Sequence, residues 1–328
     1  MFAFVVRRLL IAIPIVLLSS ILVFMLVVAS GDPLEDLRLR PGIQQSVIEA
    51  RERDLGLDKP VIQRYWDWLT NFVKGDFGKN LKGQEVRPQI SRALALTLRL
   101  VLISTIIAVL LGLTVGVISA VRQYSAFDYS ATFISFLFFA MPVFWFAVLL
   151  KEFGAIKLNG WISNWGLKIF TIGSESTPVP HAFVNRLWDY AGHAILPIIT
   201  LAFISYAGYS RFTRASMLET MSSDYVRTAK AKGLSNKRVI LKHGFRTALI
   251  PVITLIAIDF GAVLGGAFIT ENIFAWNGMG TLFRNALLPY PDPNPALAYL
   301  MITAIMVVVF NMLADIAYAY LDPRIRLD

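Results

Sequence analysis

Six apolar runs, most of them long enough to cross a lipid bilayer, leave this chain few ways to fold. They lie at Leu9–Ala29, Leu98–Val121, Ser130–Leu150, Ile195–Tyr209, Leu249–Thr270 and Ala298–Leu321. About 20 apolar residues in a helix cross a hydrocarbon core of roughly 30 Å. No water reaches a backbone N–H or C=O there, so each run must satisfy its own hydrogen bonds as a helix. The expected fold is an all-α polytopic membrane protein with six transmembrane helices. The fourth run is the weakest, being short and interrupted by Ser205, Gly208 and Ser210. Arg7-Arg8 before the first run and Ala29 and Gly31 after it have the look of a secretory leader. That run exceeds the roughly 7–15 residue apolar core of a leader, however, and reads as a retained span.

Orientation follows from the cations, which favour the cytoplasmic side. Six spans with an inside N-terminus put 1–8, 122–129, 211–248 and the tail from Asp322 in the cytoplasm. The segment 211–248 carries nine Lys and Arg against only Glu219 and Asp224, whereas 151–192 and 271–297 together hold five of each sign. Both termini are therefore expected to be cytoplasmic. The net charge of +9 sits largely in a loop tied to the membrane at both ends, which argues against nucleic acid as its partner. There is no cysteine, so neither disulfides nor thiolate metal sites arise, and His181, His193 and His243 have no metal-ligand spacing. His193 is expected at the membrane interface.

The domain reading is 1–29 for the N-terminal segment and first span, 30–96 for an extracytoplasmic loop subdomain, 97–321 for a five-helix core containing the cytoplasmic loop 211–248, and 322–328 for the tail. The subdomain holds a helix-like run at 43–55 ended by Gly56, then an amphipathic stretch at 61–73 with Tyr65, Trp66, Trp68, Leu69 and Phe72. Two readings stay open: a folded cap resting its aromatics at the interface, and a docking surface for an extracytoplasmic partner. The second outer loop carries Trp161, Trp165 and Trp188 with Pro178 and Pro180. The third holds Pro289, Pro291, Pro293 and Pro295 in a stiff turn.

Inside the spans, Gly112 and Gly116 offer a small-residue stripe for close helix approach, as do Gly261, Gly265 and Gly266. Pro142 breaks the third span and Pro197 lies near the start of the fourth. Asp259 is a carboxylate near the middle of the fifth. A membrane carboxylate faces a cavity or a partner, so pairing with Arg99 or another subunit and a role in the pathway both stand.

The cytoplasmic loop has an order of its own. Ser222, Ser223 or Asp224 can cap a helix start, and Gly233 suits its end. Tyr225, Ala229 and Lys232 share a face, as do Val226 and Ala229. Ser235 or Asn236 then starts a second helix running through 237–243 into the fifth span. On physical grounds this basic hairpin either rests on anionic lipid or inserts into a groove on a soluble partner, where Ala229 and Ala231 permit close contact.

Asp224-Tyr225-Val226-Arg227-Thr228-Ala229-Lys230-Ala231-Lys232-Gly233-Leu234, followed by His243 and Ala248-Leu249-Ile250-Pro251, resembles the ATPase-coupling loop, or EAA motif, of ABC importer permeases of the dipeptide/oligopeptide/nickel subfamily. Further landmarks agree along the whole chain: Gly31-Asp32-Pro33, Leu55 to Pro60, Gly75-Asp76-Phe77-Gly78, Glu271 to Phe274 with Gly278-Met279-Gly280, and Leu321-Asp322-Pro323-Arg324. The long first outer loop is similar to that of the first-type, or B, permease. Arg227 and Thr228 depart from the general motif by replacing its Glu and first Ala, and 288–295 is longer and richer in proline than the usual pattern.

The resemblance implies a type I importer (MetI-like) permease fold, in a bacterial or archaeal cytoplasmic membrane, lining half a pathway beside a homologous second (C-type) permease. It further implies two ATP-binding subunits or one fused ATPase, which bind ATP and Mg, and an extracytoplasmic substrate-binding protein. This chain binds no cofactor in that scheme and is not an enzyme; no Gly-x-x-x-x-Gly-Lys-Ser/Thr loop occurs in it. Asp224 to Leu234 would be the ATPase contact. Dipeptides, longer peptides, nickel chelates, opines and glycosides all stay open as cargo. The rival reading is an ion-coupled secondary transporter using Asp259.

Overall fold

The computed structural model describes residues 2–39, 42–163, 170–174 and 182–321. Trp165, Pro178, Pro180, His181 and the tail 322–328 lie outside the described residues. In chain order the helices are α1 (Phe2–Ala29), α2 (Glu35–Leu39), α3 (Gln45–Asp54), α4 (Val61–Val73), α5 (Val86–Val121), α6 (Ala126–Ala140) and α7 (Val143–Leu150). A π-helical stretch, Lys151–Leu158, leads on to α8 (Asn159–Ser163). Then follow α9 (Phe183–Met221), α10 (Asp224–Ala231) and α11 (Asn236–Arg238), a second π-helical stretch at Val239–Phe245, α12 (Arg246–Ile273), α13 (Met279–Leu287) and α14 (Pro293–Leu321). Among the described residues there is no β-strand, only an isolated bridge between Lys79 and Glu85.

Among the described residues, α1, α5, α9 and α14 are each long and apolar enough to cross a membrane. The third predicted run is not one straight span: α6 and α7 meet at 104° across Met141-Pro142. Proline disfavours the α conformation in the residue before it, and Met141 is extended there. Pro197, by contrast, sits inside α9 without ending it. The fifth predicted run lies within the single helix α12.

The chain divides into two compact units. The first comprises residues 6–97 and 277–308. In it Val23, Phe24 and Val27 of α1 pack on Ala286, Ala296 and Leu297, with Tyr65 and Trp68 of α4 closing over them. Phe24 meets Tyr65 at 5.5 Å and Trp68 at 5.6 Å, and the aromatic chain continues through Phe72 to Phe77. The Ser20 and Tyr65 hydroxyls lie 2.8 Å apart. Tyr65 and Trp68 thus close this unit's own core, while Ile62 and Trp66 stay exposed. The loop before α5 is tied down by backbone contacts: the Leu81 N–H donates to Asp292 at 2.8 Å, and the Asn294 amide to the Lys79 carbonyl at 2.7 Å. Gly78, at φ +73°, leaves room for Asn294, which a Cβ would meet at 2.7 Å.

The second unit comprises residues 1–5, 98–276 and 309–328. Its central helix is α9, the run whose sequence looked weakest. Within its most apolar window 61% of residues are buried, against 22–28% for α1, α5 and α14. Of the residues that interrupt it, Ser210 is a buried contact residue, whereas Gly208 faces open space. The Ser210 and Ser135 hydroxyls lie 2.8 Å apart, joining α9 to α6. Gly112 and Gly116 of α5 abut α9 so closely that a Cβ would come within 2.5 Å of Tyr209 and 2.7 Å of the Ser210 carbonyl oxygen. Low hydropathy here reports burial against protein rather than a poor span. His193, expected at the membrane interface, is buried on this helix, its Nδ1 2.7 Å from the Asp189 carbonyl oxygen.

Candidate functional site

The basic hairpin predicted after the fourth run forms. Ser223 is extended before α10, and Gly233, at φ +76°, reverses the chain after it by donating its N–H to the Lys230 carbonyl. Ser235 is extended before α11, and α11, the π-helical stretch and α12 follow without a gap. A π-helical stretch carries an extra residue per turn and recurs at functional positions.

The two faces of α10 have different surroundings. Val226 and Ala229 are buried against Val239, Met221 and Leu234. Ala229 is only 6% exposed, so the small residue read from sequence as a partner contact serves the hairpin's own packing. The outward face carries Asp224, Tyr225, Arg227, Thr228, Lys230, Ala231 and Lys232. Tyr225 is 46% exposed, a large aromatic held outward from a rigid helix. Arg227 lies 3.7 Å from Asp224, a loose surface pair of small energetic weight. Thr228 turns its hydroxyl back to the Asp224 carbonyl at 2.9 Å.

The hairpin is fastened to two long helices. Met217 of α9, Ala248 of α12 and Ala120 of α5 share a buried cluster with Ile240 and Phe245 of the π-helical stretch. The Ser216 hydroxyl donates to the Ala248 carbonyl at 3.0 Å. Gly244 admits the end of α9, since a Cβ there would lie 2.9 Å from the Met221 sulfur. Close-packed contacts of this kind pass displacement on rather than absorb it. A push on α10 therefore reaches both α9 and the start of α12.

One turn earlier in α9, Arg214 holds the buried Asp128 of α6 with two bonds, and Asp128 also accepts the Tyr124 N–H at 3.0 Å. Arg211 lies over the rings of Phe136 and Phe139, 4.4 Å from each centroid. Sequence reasoning missed the Asp128 pair, because a partner 86 positions away leaves no local period to read.

Asp259 on α12 accepts a hydrogen bond from the Tyr209 hydroxyl of α9 at 2.7 Å. Among the described residues it makes no ion pair, with Arg99 or otherwise. Among the described residues its partner is a phenol, not a cation. Of the predicted glycine stripe in α12, Gly265 and Gly266 have side-chain positions outside the described residues. No group of three or more His, Asp and Glu among the described residues is placed to hold a metal.

The family described as binding-protein-dependent transport system inner membrane component matches residues 112–327, and its N-terminal membrane-component counterpart matches residues 1–88. The oligopeptide transport system permease protein AppB of Bacillus subtilis (strain 168) is 40% identical, the alignment covering 99% of this chain and all of that protein. The dipeptide transport system permease protein DppB of Alkalihalophilus pseudofirmus is 34% identical over 99% of this chain and all of its own. The glutathione transport system permease protein GsiC of Escherichia coli (strain K12) is also 34% identical, over 99% of each chain. Among solved structures, the inward-facing MetNI methionine ABC transporter matches with a TM-score of 0.55 at 16% identity, over 71% of this chain and 96% of that one. At that identity the likeness speaks for the fold alone.

Proposed function

The chain belongs to the family of binding-protein-dependent transport system inner membrane components, and from that premise we propose that it is one of two permease subunits of an ATP-driven peptide importer. As a member of that family it is a non-catalytic membrane component. The names carried by its full-length relatives, oligopeptide and dipeptide permeases, favour short peptides over nickel chelates as cargo.

One observation carries the mechanism: a solvent-facing helix bearing Tyr225, Arg227, Lys230 and Lys232 is locked to the ends of two long helices by Val226, Ala229, Met217 and Ala248. The partner ATPases, two chains or one fused chain carrying ATP and Mg, would grip the outward face from Asp224 to Leu234. Their closure would move α10 as a rigid piece and with it α9 and α12, switching the pathway between outward-facing and inward-facing states. A swing from 1:99 to 99:1 requires the partner to favour one state by about 5.5 kcal/mol. The other partners are a homologous C-type permease beside this chain and an extracytoplasmic protein that delivers the peptide. Asp259 would face the pathway, and both termini would be cytoplasmic.

The test is purification of the chain from its host in mild detergent, with every co-purifying protein identified. Recovery of a second multi-span permease and a Walker-type ATPase is the expected result. Recovery of this chain alone, active in gradient-driven uptake, would overturn the importer and move Asp259 to the centre of a secondary transporter.

A further inference from the structure

We propose that Arg64 is the anion-binding residue of a solute site in the unit formed by residues 6–97 and 277–308, and that this site takes the free carboxylate of a short peptide. The ligand class rests on the peptide-importer reading above; the site rests on what surrounds Arg64.

Arg64, on α4, lines two cavities of that unit, of about 750 Å³ and about 310 Å³. The larger falls within the roughly 300–1,000 Å³ of small-molecule sites and combines the rings of Trp68 and Phe77 with the amides of Asn80 and Asn294. Its other charges are mostly settled. Lys59 holds Asp67 at 2.6 Å, while Lys79 lies 3.8 Å from Glu85 and Arg51 3.8 Å from Asp54. In the smaller cavity, Arg38 is bound by both Asp32 and Glu52.

Arg64 alone among the partly buried cations of these walls has no carboxylate at hand among the described residues. Burial without a counter-charge pulls its pKa below the ordinary arginine range, yet a guanidinium remains charged at neutral pH. A partly desolvated fork of N–H donors on a rigid helix is matched to a planar carboxylate. The acidic side chains on the same wall, Asp54, Asp67, Asp76 and Glu85, disfavour a doubly charged phosphate. Asp76 is exposed and makes no ion pair among the described residues, so the wall also offers a place for a peptide's ammonium group.

The experiment is calorimetric titration of the purified full chain in lipid nanodiscs with trialanine and with trialanine amide, for wild type, Arg64→Gln and Arg64→Lys. Trialanine should bind, and its amide about tenfold or more weakly, the loss expected for one charged hydrogen-bonded contact. Arg64→Gln should bring trialanine down to the level of the amide with an unchanged thermal midpoint, because Arg64 has no carboxylate partner to lose among the described residues. Arg64→Lys should retain part of the difference. Equal binding of the two peptides, unaltered binding by Arg64→Gln, or no binding at all would each overturn the site. If Arg64→Gln instead lost only the delivering protein, Arg64 would be a docking contact and the solute site would fall. Co-purification of the ATPase with Arg64→Gln separates the two readings. Intact assembly with equal peptide binding sinks the site alone, whereas carboxylate-dependent binding by a chain that recovers no ATPase sinks the importer alone.

Discussion

Arg214 Nε lies 2.7 Å from Asp128 Oδ1, and Arg214 Nη2 lies 2.8 Å from Asp128 Oδ2, a fork-to-fork pair that joins α9 to the first turn of α6. Asp128 is buried, so the pair cannot be broken from one side without leaving its carboxylate uncompensated. Arg214→Ala should cost about 3 kcal/mol, read as a lowered thermal midpoint of the full chain in detergent. The double variant with Asp128→Ala should recover part of that loss. Simple additivity of the two would mean that the pair is not coupled.

The two faces of α10 predict opposite phenotypes. Ala229→Leu should overpack the cluster with Val226 and Val239 and destabilise the hairpin by about 1–3 kcal/mol. Tyr225→Ala removes an exposed ring, should leave the fold intact, and should weaken ATPase co-purification about tenfold if that ring anchors the partner. Protease sensitivity of the hairpin separates the two effects. Normal ATPase recovery by Tyr225→Ala would remove the ring from the docking face.

The glycines of α5 and α9 are not equivalent. A Cβ on Gly112 would meet Tyr209 Cβ at 2.5 Å and the Ser210 backbone nitrogen at 3.2 Å, so Gly112→Ala should lower stability by about 1–3 kcal/mol. Gly208 faces open space, and Gly208→Ala should stabilise α9 by about 0.5–1 kcal/mol through helix propensity. Thermal midpoints moving in the same direction for both would refute the assigned α5–α9 contact.

Asp259→Asn keeps an acceptor for the Tyr209 hydroxyl while removing the charge. It should alter peptide uptake several-fold and leave assembly with the ATPase untouched. Tyr209→Phe strips the carboxylate of its donor and should impair both folding and uptake, because a polar group in the membrane is costly without a partner. Lost assembly in Asp259→Asn would mark the residue as structural.

Asp292 supplies a pH dependence. Burial pushes its carboxyl up to about 6, outweighing the Leu81 N–H that favours the charged form. An unfolded aspartate titrates at about 3.9, so the folded chain holds the proton more tightly than the unfolded one. The resulting stability is fully present below about pH 4 and is lost as pH rises through about 6. The thermal midpoint of the wild type should therefore fall relative to Asp292→Asn between about pH 4 and pH 7. A constant difference would show that Asp292 ionises as freely in the folded chain as in water.

Hydrophobic runs and turn chemistry alone determined that this chain is helical and membrane-bound, where its basic hairpin begins and ends, and that Pro142 breaks a span. Those features are local: a 20-residue apolar run and a glycine at positive φ each act within a few positions of themselves. The resemblance of 224–234 to a coupling loop was legible for the same reason, as a contiguous string. Only the tertiary structure decided that the interrupted fourth run is the buried centre of its unit, because Tyr209 and Ser210 have value only against Ser135, Gly112 and Gly116. It likewise turned Ala229 inward against Val239, gave Asp259 a phenol for a partner, joined Arg214 to Asp128, and left Arg64 without a carboxylate among the described residues. A side chain's charge is written in the chain, but whether that charge is answered depends on residues brought close by folding, and distance in sequence says nothing of that.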